Sequence, residues 1–272
     1  MTVIDPYESF DNLMREPPML AVTGYPGEGK SSWVGSILSH VPETLFIVCD
    51  KKGFRAAIGN PKVHDWYAEY DVPQPKPEQI IGVTNWQDFK DSLEHYILDP
   101  SKTNDCKYRA VVIDGASDIS EFLTEEYEVD DPSVPPGLRI QGWGAIKREW
   151  RLLFRQLNQA GLIVVFTVHM RDKSQEIDAR SKAEKASTDE REYEKWIVPD
   201  IAGSGMWLFL RTMDGYFHLE RTGSGAATTI NVYVESDGDI FGKSRADYGD
   251  SKLMDVTLGK MLELGGYLQG EK

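Results

Sequence analysis

Gly24-Tyr25-Pro26-Gly27-Glu28-Gly29-Lys30-Ser31 is the stretch on which the reading of this 272-residue chain turns. It satisfies G-x-x-x-x-G-K-[ST]. It stands between a run of strand character, Met19 to Thr23 (MLAVT), and a run of helical spacing, Trp33, Val34, Ile37 and Leu38. Glycines at these places let successive backbone N–H groups turn inward around an anion, and a helix starting at Lys30 adds the positive end of its dipole. In this pattern Lys30 reaches the outer phosphates of a nucleoside triphosphate and the Ser31 hydroxyl reaches Mg²⁺. Gly24 through Ser31, with the adjacent Ser32, are therefore the candidate nucleotide-binding residues. ATP with Mg²⁺ is the expected ligand, and Ser31 is one candidate metal ligand.

Outward from the loop lie three more short apolar runs: Leu45 to Cys49 (LFIVC), Tyr108 to Ile113 (YRAVVI) and Leu162 to Val168 (LIVVFTV). Runs that do not alternate and are separated by helical stretches predict a parallel sheet buried on both faces. The second run ends on Asp114, the place for the second Mg²⁺-side carboxylate, and the third ends on His169, where a polar side chain can face the γ-phosphate. Trp143, Ile146, Trp150, Leu153 and Leu157 recur at three- and four-residue steps, which reads as the core stripe of an amphipathic helix rather than a base-stacking platform. Beyond Met206 the pattern alternates, predicting antiparallel strands with Asp214-Gly215 and Gly223-Ser224-Gly225 as turns. Glu125 to Gly142 and Arg171 to Lys195 read as long loops, or as a loop and a solvated helix. The expected organisation is an arm over 1–17, a core over 18–250 with its antiparallel extension from about 206, and a tail over 251–272.

Composition narrows the classes of partner. The net charge of −14, from 30 Lys and Arg against 44 Asp and Glu, excludes a bulk basic footprint, so any polyanion has to be met locally. No run approaches the roughly 18 apolar residues needed to span a bilayer, and the N-terminal stretch lacks the apolar segment of a secretory signal. Cys49 and Cys106 are the only cysteines; no disulfide and a cytoplasmic setting are expected.

The ordered set GYPGEGKSS, VVIDGASDISE, FTVHM, Pro199-Asp200-Ile201-Ala202-Gly203 and Lys243-Ser244-Arg245 resembles RecA-like ATPases, specifically the compact bacteriophage form of single-strand-annealing or AAA-type recombination ATPases. The resemblance covers about Met19 to Asp247. It implies an α/β RecA-like P-loop NTPase fold and a mostly parallel central sheet flanked by helices, with antiparallel strands toward the C-terminus. It implies that Lys30 and Ser31 contact phosphate and Mg²⁺, that Asp114 is the second acid of the metal site, and that His169 is the polar sensor. It further implies that Lys243 and Arg245 reach a neighbouring subunit's nucleotide, that the protein acts on single-stranded DNA as a homo-oligomer in the host cytoplasm, and that Arg171, Lys173 and Arg180 lie in a DNA-facing loop.

One departure bears on turnover. The family places a catalytic Glu just past the second strand, whereas this chain reads Cys49-Asp50-Lys51-Lys52-Gly53, with Lys52 at that place. A cation cannot activate water. Asp50 is the nearest substitute, with Glu28 and Glu121 as further options. Three readings follow: an ATP-driven recombination or replication protein, a nucleotide-gated assembly module with little hydrolysis, and a P-loop small-molecule kinase, which the C-terminal strands and K-x-R fit poorly.

Overall fold

Strand β1 (Met19–Gly24) is buried along its whole length, with Met19 and Ala21 in one apolar layer and Leu20 and Val22 in the other. That two-sided burial is why its sequence is apolar without alternation. The computed structural model describes residues 17–128, 140–172, 197–203, 205–223, 229–235 and 242–268.

In chain order β1 is followed by α1 (Lys30–Gly35), a 3₁₀ turn (Ser36–Ser39), β2 (Thr44–Val48), α2 (Lys51–Ile58) and α3 (Pro61–Glu69). Next come β3 (Ile80–Gly82), α4 (Trp86–Leu93), a π-helical turn (Glu94–Leu98), α5 (Asp99–Lys102), β4 (Ala110–Asp114), α6 (Ala116–Tyr127) and α7 (Ile140–Gln159). The chain then forms β5 (Ile163–Asp172), β6 (Ile197–Pro199), α8 (Gly205–Thr212), β7 (Gly215–Thr222), β8 (Thr229–Tyr233), β9 (Lys243–Ser244), β10 (Lys252–Met254) and α9 (Leu258–Leu264). The sheet order is β10-β8-β7-β1-β5-β4-β2-β3, with β6 on β5 and β9 on β7. β7, β1, β5, β4, β2 and β3 run parallel, and β8, β9 and β10 add antiparallel pairs toward the C-terminus. This is the mostly parallel α/β arrangement, with antiparallel strands toward the C-terminus, expected from the sequence, and one strand, β5, lies between the loop-bearing β1 and the Asp114-bearing β4.

Helices cover both faces. On one, Trp150, Leu153 and Phe154 of α7 and Phe209 of α8 pack with Ile119 and Leu123 of α6 against Ile113 and Phe166. Trp150 stacks on Phe154 with ring centroids 5.3 Å apart and meets Phe209 edge-on at 6.0 Å. On the other face, Trp33 and Ile37 join Phe54 of α2 and Leu258, Met261 and Leu262 of α9. α9 is tied down further by Leu258 N, which donates to Ser36 Oγ at 2.8 Å, and by Trp33 Nε1, which donates to Val256 O at 2.7 Å.

Several expectations need correction. Trp207 to Met213, read as a strand, lies in and just after α8: Met206, Phe209, Leu210 and Met213 are buried while Trp207 and Arg211 are exposed, a helical stripe that the run WLFL hides as a continuous apolar segment. Asp214-Gly215 consequently joins α8 to β7 and is no hairpin turn. β7 and β8 are antiparallel as expected, with Thr222 opposite Thr229; residues 224–228 lie outside the described residues. Of the two readings left open for Glu125 to Gly142, the one with helix holds at both ends, since α6 runs to Tyr127 and α7 begins at Ile140; residues 129–139 lie outside the described residues. The helix after the loop keeps α geometry only to Gly35 and continues as the 3₁₀ turn. Arg171 and Asp172 extend β5. Residues 1–16 of the arm and 173–196, including Lys173 and Arg180, lie outside the described residues. β3 and α2 to α5 carry no apolar run long enough to mark them in the sequence, β3 offering only Ile80 and Ile81 and the helices only scattered apolar residues.

Candidate functional site

β1 delivers the glycine loop between two strand tips, with Gly24 in register with His169 of β5 and Thr23 in register with His218 of β7. Gly27 and Gly29 hold φ of 89° and 87°, a left-handed backbone that a side chain would strain, although a Cβ at either would meet no atom within 4 Å. Glycine is required here for backbone conformation, not for room. Glu28 Oε2 accepts from Tyr25 N at 3.2 Å and braces the loop across its mouth. Burial raises the Glu28 carboxyl, with the Tyr25 bond and Lys30 opposing.

Lys30 is buried, and its Nζ donates to Gly24 O at 2.8 Å and Tyr25 O at 3.1 Å. Burial lowers its pKa, while Asp114 and then Glu28 pull the other way. Across β5, Asp114 Oδ1 accepts from Ser31 Oγ at 3.3 Å and from Thr167 Oγ1 at 2.5 Å. Thr167 Oγ1 also accepts from Gly115 N at 3.0 Å, so the threonine locks both the carboxylate and the chain just past it. Burial raises the Asp114 carboxyl; the Thr167 and Ser31 hydroxyls and the Lys30 ammonium act against that. The strand order therefore brings together a buried ammonium, a hydroxyl and a carboxylate, the last two 83 residues apart in sequence.

Ser31 and Asp114 fit a Mg²⁺ ion. They supply two hard oxygen donors side by side, and no cluster of three His, Cys, Asp or Glu capable of holding a metal exists among the described residues. Mg²⁺ in phosphate sites is held by one or two protein oxygens with phosphates and water completing the shell, so a larger protein cage is not required.

The other candidates divide. His169 is exposed on β5 beside Gly24, before the strand continues to Asp172, with its N–H donating to Ser117 Oγ at 3.0 Å and its carbonyl accepting from Asp200 N at 2.8 Å. Asp50 caps α2, its Oδ1 accepting from Gly53 N at 2.8 Å, and Lys52 is exposed in the first turn of that helix. Ser32 turns its hydroxyl to Ala57 O of α2, away from the loop. Glu121 lies on α6 in an acidic neighbourhood: burial first, then Asp118, Asp200 and Glu125, raise its carboxyl, and His169 lowers it. Lys243 and Arg245 stand at the opposite end of the sheet. Lys243 Nζ donates to Leu210 O at 3.3 Å and Met213 O at 3.0 Å, capping the C-terminal end of α8, and Arg245 pairs with Asp214.

Thr167, Ser117 and Glu220 were missed. Thr167 was legible as the one hydroxyl in LIVVFTV. Glu220, which accepts from Tyr233 Oη at 2.8 Å and lies close enough to act on Glu28, gave no signal in its own segment. Cys49 and Cys106 are both free thiols, and no helix among the described residues is long and apolar enough to cross a membrane.

A family model described as an AAA domain (AAA_24) matches residues 16–245. No curated protein matches the chain. Among solved structures it is similar to the KaiC-like protein PH0186 from the hyperthermophilic archaeon Pyrococcus horikoshii OT3, at 11% identity and a TM-score of 0.41, over 81% of this chain and 79% of that one.

Proposed function

The chain belongs to the AAA domain family, and from that premise we propose that it is a Mg²⁺-dependent ATPase of phage DNA recombination or replication that works on single-stranded DNA as an oligomer. The observation that carries the nucleotide half of this reading is the meeting of Lys30, Ser31 and Asp114 at the mouth of the sheet. In it the loop's N–H groups hold the phosphates, and the Lys30 ammonium exchanges its two carbonyl partners for β- and γ-phosphate oxygens. Ser31 and Asp114 hold Mg²⁺, which neutralises charge on the phosphates. Thr167 keeps the Asp114 carboxylate aimed, and His169 faces the terminal phosphate. The DNA and assembly parts of the reading rest on the sequence resemblance. Lys243 and Arg245, lying at the far end of the sheet, act on a neighbouring copy's nucleotide and not on their own.

The engagement of Asp50 as a helix cap favours a second reading, a nucleotide-gated assembly module with slow turnover, because it leaves no uncommitted carboxylate at the tip of β2. ATPase rates with and without single-stranded DNA, for wild type, Lys30→Ala and Arg245→Ala, separate the two. The first reading expects DNA-stimulated turnover that Arg245→Ala removes while leaving nucleotide binding intact. Turnover that ignores both DNA and Arg245 refutes it, and ATP-dependent association without turnover establishes the second.

A further inference from the structure

At the end of the sheet where β1 begins, Arg155, Arg211 and Arg245 line a cavity of about 350 Å³ together with Asn158, Asp214 and Tyr267. The arginines come from three separate elements: the last part of α7, the last turn of α8 and the residue just past β9. Among the described residues Asp214 is the only acid in the lining, and it is already engaged, Oδ2 accepting from Met19 N at 2.8 Å and Oδ1 pairing with Arg245. Arg155 and Arg211 have no hydrogen-bond or ion-pair partner among the described residues. The Tyr267 hydroxyl is likewise buried without a partner among them. A chain of net charge −14 thus brings three arginines into the lining of one cavity, one of them paired with Asp214 and two without a side-chain partner among the described residues. Guanidinium forks match phosphate oxygens in pairs, and a dianionic phosphate balances the positive charge that Asp214 leaves over.

We infer that this cavity is a phosphate-binding site that takes the phosphate end of a polyphosphate. The phosphate has two sources, a free polyphosphate or the triphosphate held in the loop of a second copy. Met19 and Gly24 are the two ends of β1, roughly 17 Å apart by the rise of a strand, so one chain cannot close both ends on one triphosphate. Copies stacked head to tail can. The second source rests on the proposed nucleotide reading; the site itself does not.

The test uses the full chain with Lys30→Ala, which silences the loop, titrated calorimetrically with inorganic tripolyphosphate at low salt. Saturable uptake is expected, and adding Arg155→Ala and Arg211→Ala should weaken it at least tenfold with an unchanged melting temperature, both side chains being exposed. Should the alanine pair melt lower, Arg155→Gln with Arg211→Gln serves instead. No uptake by Lys30→Ala, or the same affinity after both arginines are removed, overturns the site. In a chain with Lys30 intact, the Arg155→Ala/Arg211→Ala protein reports on the loop alone, so failure of the nucleotide reading shows there as no Mg·ATP binding. Sedimentation of that protein and wild type with saturating Mg·ATP then names the source. ATP-dependent association lost in the variant identifies a second copy; association alike in both identifies free polyphosphate.

Discussion

The two ends of β1 carry opposite electrostatics. Where the strand finishes, one buried ammonium, Lys30, works between the carboxyls of Asp114 and Glu28, and burial pushes both of those upward. Where it starts, exposed arginines gather around a single engaged carboxylate. At the first end Lys30 and Asp114 are held by packing and hydrogen bonds and little screened by solvent, so removing either is felt strongly. At the second the groups are exposed, so their effects are individually small, collective and salt-sensitive. The chain thus presents a packed glycine loop at one pole and an exposed cluster of arginines at the other.

The severest test of this contrast strikes the packing that holds the arginine helices. Trp150, fully buried between Phe154 and Phe209, should cost about 3–5 kcal/mol as Trp150→Ala in urea unfolding. Tripolyphosphate uptake on the Lys30→Ala background should fall with it, and preserved uptake would mean that the arginines need no fixed frame. Next, Lys30→Ala should reduce Mg·ATP affinity by at least about 100-fold, roughly 2.7 kcal/mol, and abolish thermal protection by nucleotide; calorimetry showing near-normal affinity would sink the cradle.

Asp114→Asn probes the same pole through pH. Burial raises this carboxyl above its ordinary 3.8, so ionising it penalises the folded state. The penalty is absent where both states are protonated and grows as pH rises through the folded-state value. The variant should therefore melt roughly 2–4 °C above wild type at pH 7, with the gap closing near pH 3, while its Mg²⁺-dependent nucleotide affinity falls about tenfold. A gap that widened toward acid would reverse the sign of the argument. Smallest is Asp50→Ala. Loss of its bond to Gly53 N should cost about 1 kcal/mol of stability and leave turnover within twofold; a turnover drop beyond tenfold would make Asp50 the water-activating group after all.

The loop was legible because its requirements are local. Two glycines with left-handed backbone, a lysine and a serine stand within eight consecutive residues, and β1 announces itself by two-sided burial. Asp114 was legible by position, as the polar residue ending an apolar run. Other features depended on partners far along the chain. WLFL reads equally well as strand or helix, and only the packing of Phe209 on Trp150 and Phe166 decides between them. Asp50 looks like a free carboxylate until α2 begins beneath it.

By itself, then, the sequence determined the glycine loop, the parallel core around it and the place of Asp114 beside it. A loop of consecutive residues has its geometry written in local backbone preferences, and a doubly buried strand has its burial written in composition. Tertiary structure alone decided that Thr167 aims Asp114, that Lys243 caps α8, and that Arg155, Arg211 and Arg245 share one cavity. Those side chains are brought together by strand order and helix packing, a sum of long-range contacts that no window of neighbouring residues contains.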